Sequence, residues 1–434
     1  MTRRVGLLAY YFPPLGGAGV QRAVTLARRL PELGWEPVVV TGPGARQGRW
    51  SPRDAGLGEG LERLHIVRAG GVEPPRGGGR RERWLRLRSE WNRWWVDASV
   101  EALCGLDVDV FLATLSPFEG ATAGARAAAI LDRPWVADLR DPWALDEMAV
   151  YPSRLHRTAE LGTMRRALAT ASAIVMNTRE ARHAMSETFP ELEPKLTEPV
   201  PNGFDPSDFA GAPAPRTDTA FRLVHTGYLH TELAAPGGAA AIVRRLAGGS
   251  LHGVDIGSRS HLYLLQAIDR LRAEDPSVGT RIEVQLAGVM STSDVETSER
   301  PYVKRLGYLS HTDTVALMRS ADALFLPMHD LEPGRRARIV PGKTYEYLGA
   351  GQPILAAVPD GDARDLLVRA GNAAVCEPRD VVGLMNALRR LVAGQCPAEP
   401  RADVVRDYER RFLAERMARV LDRVAGAETI STAA

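Results

Sequence analysis

The chain has 434 residues, 45% apolar and 25% charged, with a formal net charge of +2. That is longer than one hydrophobic core usually serves and carries no field for nucleic acid, so two globular domains and no nucleic-acid partner are expected. Cys104, Cys376 and Cys396 are too few and too scattered for a disulfide framework or a zinc site. No run of about 18 apolar residues and no leader pattern is present, so a cytoplasmic protein without a transmembrane anchor is expected.

Val5 to Ala9 reads as a strand that runs through Tyr10-Tyr11-Phe12-Pro13-Pro14-Leu15 into Gly16-Gly17-Ala18-Gly19. A helix follows on apolar Val20, Ala23, Leu26, Ala27 and Leu30 and stops at Gly34. Pro37 to Thr41 and His65 to Ala69 read as the next strands. Gly70 to Arg83 is rich in glycine, proline and arginine and reads as a mobile loop on one edge of the site. Val108 to Thr114, Trp135 to Asp138 and Ala173 to Asn177 complete a first parallel series, with an alanine-rich helix among them.

The proline-rich turns from Pro199 to Asp205 and from Gly211 to Pro215 mark a handover between domains. A second series of strands follows at Phe221 to His225, Ile282 to Ala287, Ala323 to Leu326, Pro353 to Val358 and Ala373 to Glu377. Leu229 to Arg259 is longer than the usual connection and reads as an inserted loop or short helix without a strand. Val404 to Val424 is helical, and such a terminal helix can return across the junction. The expected fold class is α/β, with two Rossmann-like doubly wound domains at 1–205 and 206–403 and a returning segment at 404–434.

Gly16 and Gly17 at a strand-to-helix turn let backbone amides approach a phosphate or sugar, but a tight turn alone gives the same pattern. The spacing is not the dinucleotide fingerprint, so an oxidoreductase is not favoured. The sharper segment runs from Ile339 through Gly342-Lys343-Thr344-Tyr345-Glu346-Tyr347-Leu348 to Leu355. Lys343 and Glu346 share one face near the positive end of a helix, where lysine can meet phosphate and the carboxylate can accept ribose hydroxyls. A surface Lys/Glu pair satisfies the same spacing. Only Lys195, Lys304 and Lys343 are lysines in an arginine-rich chain, and that favours a specific task for Lys343.

This segment resembles the donor-binding helix of family 4 GT-B glycosyltransferases, in the variant with Lys-x-x-Glu-Tyr-Leu followed by Gly-x-Pro-Ile-Leu. The resemblance covers nearly the whole chain: Tyr11 to Pro14 with Gly16-Gly17, Pro201-Asn202-Gly203 and His225-Thr226-Gly227 fall where that family has them. It implies a GT-B fold with a cleft between the two domains. It further implies a nucleotide-sugar donor and retaining transfer to an acceptor hydroxyl on a small molecule, a lipid-linked glycan or a polysaccharide end.

Donor and diphosphate contacts are expected at Gly16, Gly17, Thr226, Gly227, Gly342, Lys343 and Glu346. Arg259 is expected as a second diphosphate charge and Tyr308 as a platform for the base. The family's Glu-x7-Glu pattern is incomplete, because Ile339 stands where the first glutamate belongs. Asp138-Leu139-Arg140-Asp141-Pro142-Trp143 resembles the acceptor-side motif. Asp141, then Asp138 and Arg140, are the catalytic candidates, and the alternative is an Asp/Arg pair that only fixes the loop.

No histidine and carboxylate spacing suits a metal, so neither a metal nor any cofactor beyond the nucleotide sugar is expected. Trp84, Trp91, Trp94 and Trp95 among Arg80 to Arg93 suit peripheral membrane contact, or else a helical face packed on the domain. Two rival readings share the architecture: a non-hydrolysing nucleotide-sugar 2-epimerase and an inactive nucleotide-binding partner.

Overall fold

A computed structural model describes residues 3–44, 53–54, 56–76, 89–211, 216, 218–233, 247–395 and 397–431. The chain divides into two compact units, one formed by 1–202 with 410–434 and the other by 203–409. The first handover thus falls three residues before the expected one.

The first unit holds β1 (Arg3–Ala9), β2 (Trp35–Thr41), β3 (His65–Arg68), β4 (Val110–Thr114), β5 (Trp135–Leu139) and β6 (Ala173–Met176). They form one parallel sheet in the order β3-β2-β1-β4-β5-β6. Alternation along β1 explains its burial on both sides: Leu8 enters one core with Phe111 and Trp135, while Val5, Leu7 and Ala9 enter the other with Val39 and Val136. The second core is closed by the helix Ala18–Arg29 and by the terminal helix Arg410–Ser431, which contributes Leu413, Met417 and Leu421. Asp422 on that helix accepts from Trp35 Nε1 at 2.9 Å and pairs with Arg3 at 2.5 Å. The expected single helix from 404 is two helices, Ala402–Arg406 and Arg410–Ser431, and only the second belongs to the first unit.

The second unit repeats the plan with β7 (Phe221–Thr226), β8 (Val254–Asp255), β9 (Ile282–Ala287), β10 (Val303–Gly307), β11 (Ala323–Pro327), β12 (Asp330–Leu331), β13 (Ile354–Ala357) and β14 (Ala373–Cys376). Its main sheet runs β10-β9-β7-β11-β13-β14, all parallel, so the strand order reverses between β7 and β11 as it does between β1 and β4. Open sheets of this kind present ligands at the carboxyl ends of the strands flanking that reversal. β8 corrects the expectation of a strandless insertion, since Val254 and Asp255 pair antiparallel with Leu331 and Asp330. Two residues carry no periodicity from which a strand is read. Residues 234–246 of that passage lie outside the described residues.

Two further expectations change. Gly70 to Arg76, the described part of the expected mobile loop, is tied down: Glu73 accepts from the Tyr10 hydroxyl and, at 2.8 Å, from Trp91 Nε1. The Arg76 guanidinium lies 4.3 Å from the ring centroids of both Tyr10 and Trp91, a cation–π contact to each. Trp91 and Trp95 are core residues of the helix Glu90–Cys104, and Trp94 packs against the same core and donates to the Gly70 carbonyl. Trp91 and Trp95 are thus core side chains, Trp94 is partly buried, and Trp84 lies outside the described residues. Among the described residues no helix is long and apolar enough to cross a membrane, and no group of histidine, cysteine or carboxylate side chains could hold a metal ion.

Candidate functional site

In the first unit the β1–helix turn and the ends of β4 and β5 converge. Gly17 precedes the helix with φ 89°, a conformation that favours glycine, and its carbonyl accepts from Val20 N. The Arg140 guanidinium lies against this turn so closely that a Cβ on Gly19 would fall 2.8 Å from Nη1. Arg140 also pairs with half-exposed Asp141 at 3.3 Å and donates to Ser116 Oγ at 3.4 Å, while Asn177 donates to the Arg140 carbonyl. Arg140 thus lies against the turn that Gly16 and Gly17 open, at a helix N-terminus, with Asp141 beside it.

Asp138 is different. It is fully buried and held by Arg22, whose Nε and Nη2 donate to the two carboxylate oxygens at 2.8 and 2.6 Å. Arg22 also donates to the Pro201 carbonyl at 3.0 Å, so the pair ties β5 and the first helix to the Pro201-Asn202 segment. This is the loop-fixing Asp/Arg pair, with Arg22 rather than Arg140 as partner, and Asp138 is not placed to meet an acceptor. Arg22 carried no signal in the sequence.

In the second unit the helix Gly342–Ala350 aims its N-terminus at the carboxyl end of β7. Tyr347 fixes that docking: its buried hydroxyl accepts from Thr226 N at 3.0 Å, and burial pushes its pKa up to about 12. Lys343, in the first turn, reaches back so that a Cβ on Gly227 would lie 2.9 Å from Nζ. Gly227 in turn touches Gly288, where a Cβ would fall 2.4 Å from the Gly227 carbonyl oxygen. The strand ends are thus packed backbone to backbone, and Lys343 lies on the surface they leave. Gly342 faces open space, where a Cβ would meet nothing within 4 Å.

Burial and neighbouring positive charge act together at this spot. Lys343 is only partly exposed. Desolvation, then the Arg259 charge, hold its pKa well below the usual lysine value, with Glu346 opposing. His225, fully enclosed at the end of β7, is held well below the usual histidine range by burial and next by Lys343. Lys343 Nζ donates to His225 Nε2 at 3.2 Å. Beside Lys343, the Thr344 hydroxyl is buried without a partner among the described residues.

Lys343, Glu346, Gly342, Thr226, Gly227 and Arg259 are thus assembled together. His225 was missed as a site residue because a lone strand histidine reads as core. Tyr308 is 42% exposed just past β10, whose last residue Gly307 accepts from Gly288 N at 2.7 Å and so borders the same strand ends. Ile339, which stands where the first glutamate belongs, is buried.

Residues 15–208 match Glycosyltransferase Family 4, and residues 252–394 match Glycosyl transferases group 1. A glycogen synthase of Mycobacterium tuberculosis is 29% identical over 146 residues, 33% of this chain and 33% of that protein. The chain thus matches about a third of the length of this curated relative. Sucrose-phosphate synthase from Thermosynechococcus elongatus has a TM-score of 0.63 at 12% identity, covering 98% of this chain and 100% of that one. A putative UDP-N-acetylglucosamine 2-epimerase from Listeria monocytogenes has 0.56 at 11% identity, with 97% and 96% covered. These two likenesses establish the GT-B architecture, and the two family matches fall one on each Rossmann-like unit. The chain belongs to the family 4 glycosyltransferases of GT-B fold.

Proposed function

We propose that this protein moves a sugar from a nucleoside diphosphate donor to an acceptor hydroxyl, with retention and without a metal ion. The observation that carries the reading is Lys343 in the first turn of the helix Gly342–Ala350, lying over Gly227 with the Arg259 charge acting on it, where desolvation makes charge costly unless an anion shares the site. A diphosphate supplies that anion. As the bond to the sugar breaks, negative charge grows on the departing phosphate, and Lys343, Arg259 and the helix amides are assigned to stabilise it. Glu346, one turn further along, is assigned the ribose hydroxyls.

In the first unit, Asp141 and Arg140 are assigned to the acceptor. Arg140 orients an acceptor oxygen and half-exposed Asp141 accepts a hydrogen bond from the attacking hydroxyl, while the Gly16-Gly17 turn keeps its assignment to the donor phosphate. A cytoplasmic setting belongs to the same reading, supported by cysteines that follow no pairing pattern. The test is product analysis with labelled nucleotide sugars, with and without an acceptor panel. Label transferred only when an acceptor is present supports transfer. A 2-epimerised sugar formed from donor alone, or nucleotide binding without any turnover, overturns it.

A further inference from the structure

His225 is 1% exposed, yet both of its ring nitrogens have partners. Nδ1 lies 3.0 Å from the Phe325 carbonyl and Nε2 lies 3.2 Å from Lys343 Nζ. A carbonyl can only accept, so Nδ1 carries the hydrogen and the neutral ring turns the Nε2 lone pair toward the ammonium. The ring is held by β11, the strand beside β7 at the reversal of strand order, where it also meets the Phe325 ring edge-on with centroids 6.2 Å apart. Lysine has a flexible four-carbon stem and places its charge poorly unless something fixes it. Here an acceptor built into the sheet does so.

We propose that His225 is a positioning residue: as an acceptor fixed by the Phe325 carbonyl it holds the Lys343 ammonium at the place where the donor diphosphate binds. The inference rests on Lys343 being the diphosphate ligand. The groups that face the imidazole keep it in this state. Lys343 from the helix, and Arg259 and His261 from the turn beside it, oppose protonation, and only the Phe325 carbonyl favours it. Glu346 acts on Lys343 rather than on the ring. A protonated Nε2 would direct its hydrogen at the ammonium, so the acceptor and the cation cannot both be charged without the contact breaking.

The experiment is calorimetric titration of the full chain with the nucleoside diphosphate that wild type binds most tightly among UDP, GDP, ADP and dTDP, and with the matching nucleoside. Four variants are compared: Lys343→Met, His225→Phe, His225→Gln and His225→Asn. The Gln amide oxygen can stand where Nε2 stands, whereas Asn is too short to reach Lys343. His225→Phe and His225→Asn are expected to weaken the diphosphate on the order of 10- to 100-fold, the range for a lost hydrogen bond to a charged group. His225→Gln should recover most of this, and the nucleoside should bind all His225 variants as it binds wild type.

A general packing defect would weaken nucleoside and diphosphate alike, and that result overturns the proposal. So does His225→Phe binding the diphosphate like wild type, or His225→Gln behaving no better than His225→Asn. If the Phe variant does not fold, the Gln and Asn pair decides the matter alone. The underlying assignment fails separately, when wild type binds no nucleoside diphosphate or Lys343→Met binds it unchanged.

Discussion

Lys343 lies over Gly227 so closely that a single methyl group on the glycine would sit 2.9 Å from Nζ and 3.3 Å from Cε. Gly227 also has φ 105°, which a side chain disfavours. Gly227→Ala therefore both displaces the ammonium and strains the backbone, at a cost of about 1–3 kcal/mol. We expect a nucleoside diphosphate Kd at least about tenfold weaker and a lower melting temperature. Calorimetry and thermal unfolding check both, and unchanged affinity would show that Lys343 does not act from this position.

A residue kept for binding at the expense of stability leaves a signature. The Lys343 pKa is depressed in the folded chain, so its charge destabilises the unliganded fold at neutral pH, where the unfolded chain carries the same proton freely. Lys343→Met should raise the melting temperature of the unliganded protein while abolishing the rise caused by nucleoside diphosphate. A lower melting temperature in the variant would assign Lys343 a structural role instead.

The pH dependence has a definite sign at each end. The unfolded chain binds a proton at His225 near the ordinary histidine value, and the folded chain resists it, so stability should fall as pH drops below about 6.5. At the alkaline end the ammonium is the binding form of Lys343. Diphosphate affinity should decline as pH rises through its lowered pKa, well before an ordinary lysine would lose its proton. Binding of the bare nucleoside should show no such alkaline limb. Unfolding and titration series across pH measure both effects.

Arg22 and Asp138 separate structure from chemistry in the first unit. Breaking a buried pair leaves one charge uncompensated, so Arg22→Met should destabilise by about 3–5 kcal/mol and Asp138→Asn should also lower the melting temperature. Asp141, half-exposed beside Arg140, should tolerate Asn without a stability change while turnover falls by about 100-fold or more. Native stability with lost turnover in Asp138→Asn would return Asp138 to the catalytic group.

Much of this was legible in the sequence because local pattern reports local structure. The buried runs of β1, β4 and β9, the glycine turn at Gly16-Gly17 and the Lys343/Glu346 face each lie within a few residues. What stayed hidden depends on pairings across the chain. His225 and Lys343 are 118 residues apart, and Arg22 and Asp138 are 116 apart. A carboxylate at a strand end looks available until the arginine that neutralises it is seen. For the tryptophans of the helix Glu90–Cys104 the helical spacing was the better guide than the arginine-rich neighbourhood: Trp91 and Trp95 fill the core beneath Tyr10.

The most direct test is calorimetric titration of wild type and Lys343→Met with a panel of nucleoside diphosphates and their sugar conjugates. The account predicts saturable one-to-one binding of at least one of them by wild type, and loss of that binding in the variant. No binding by wild type across the panel, or equal affinity in the variant, would contradict it.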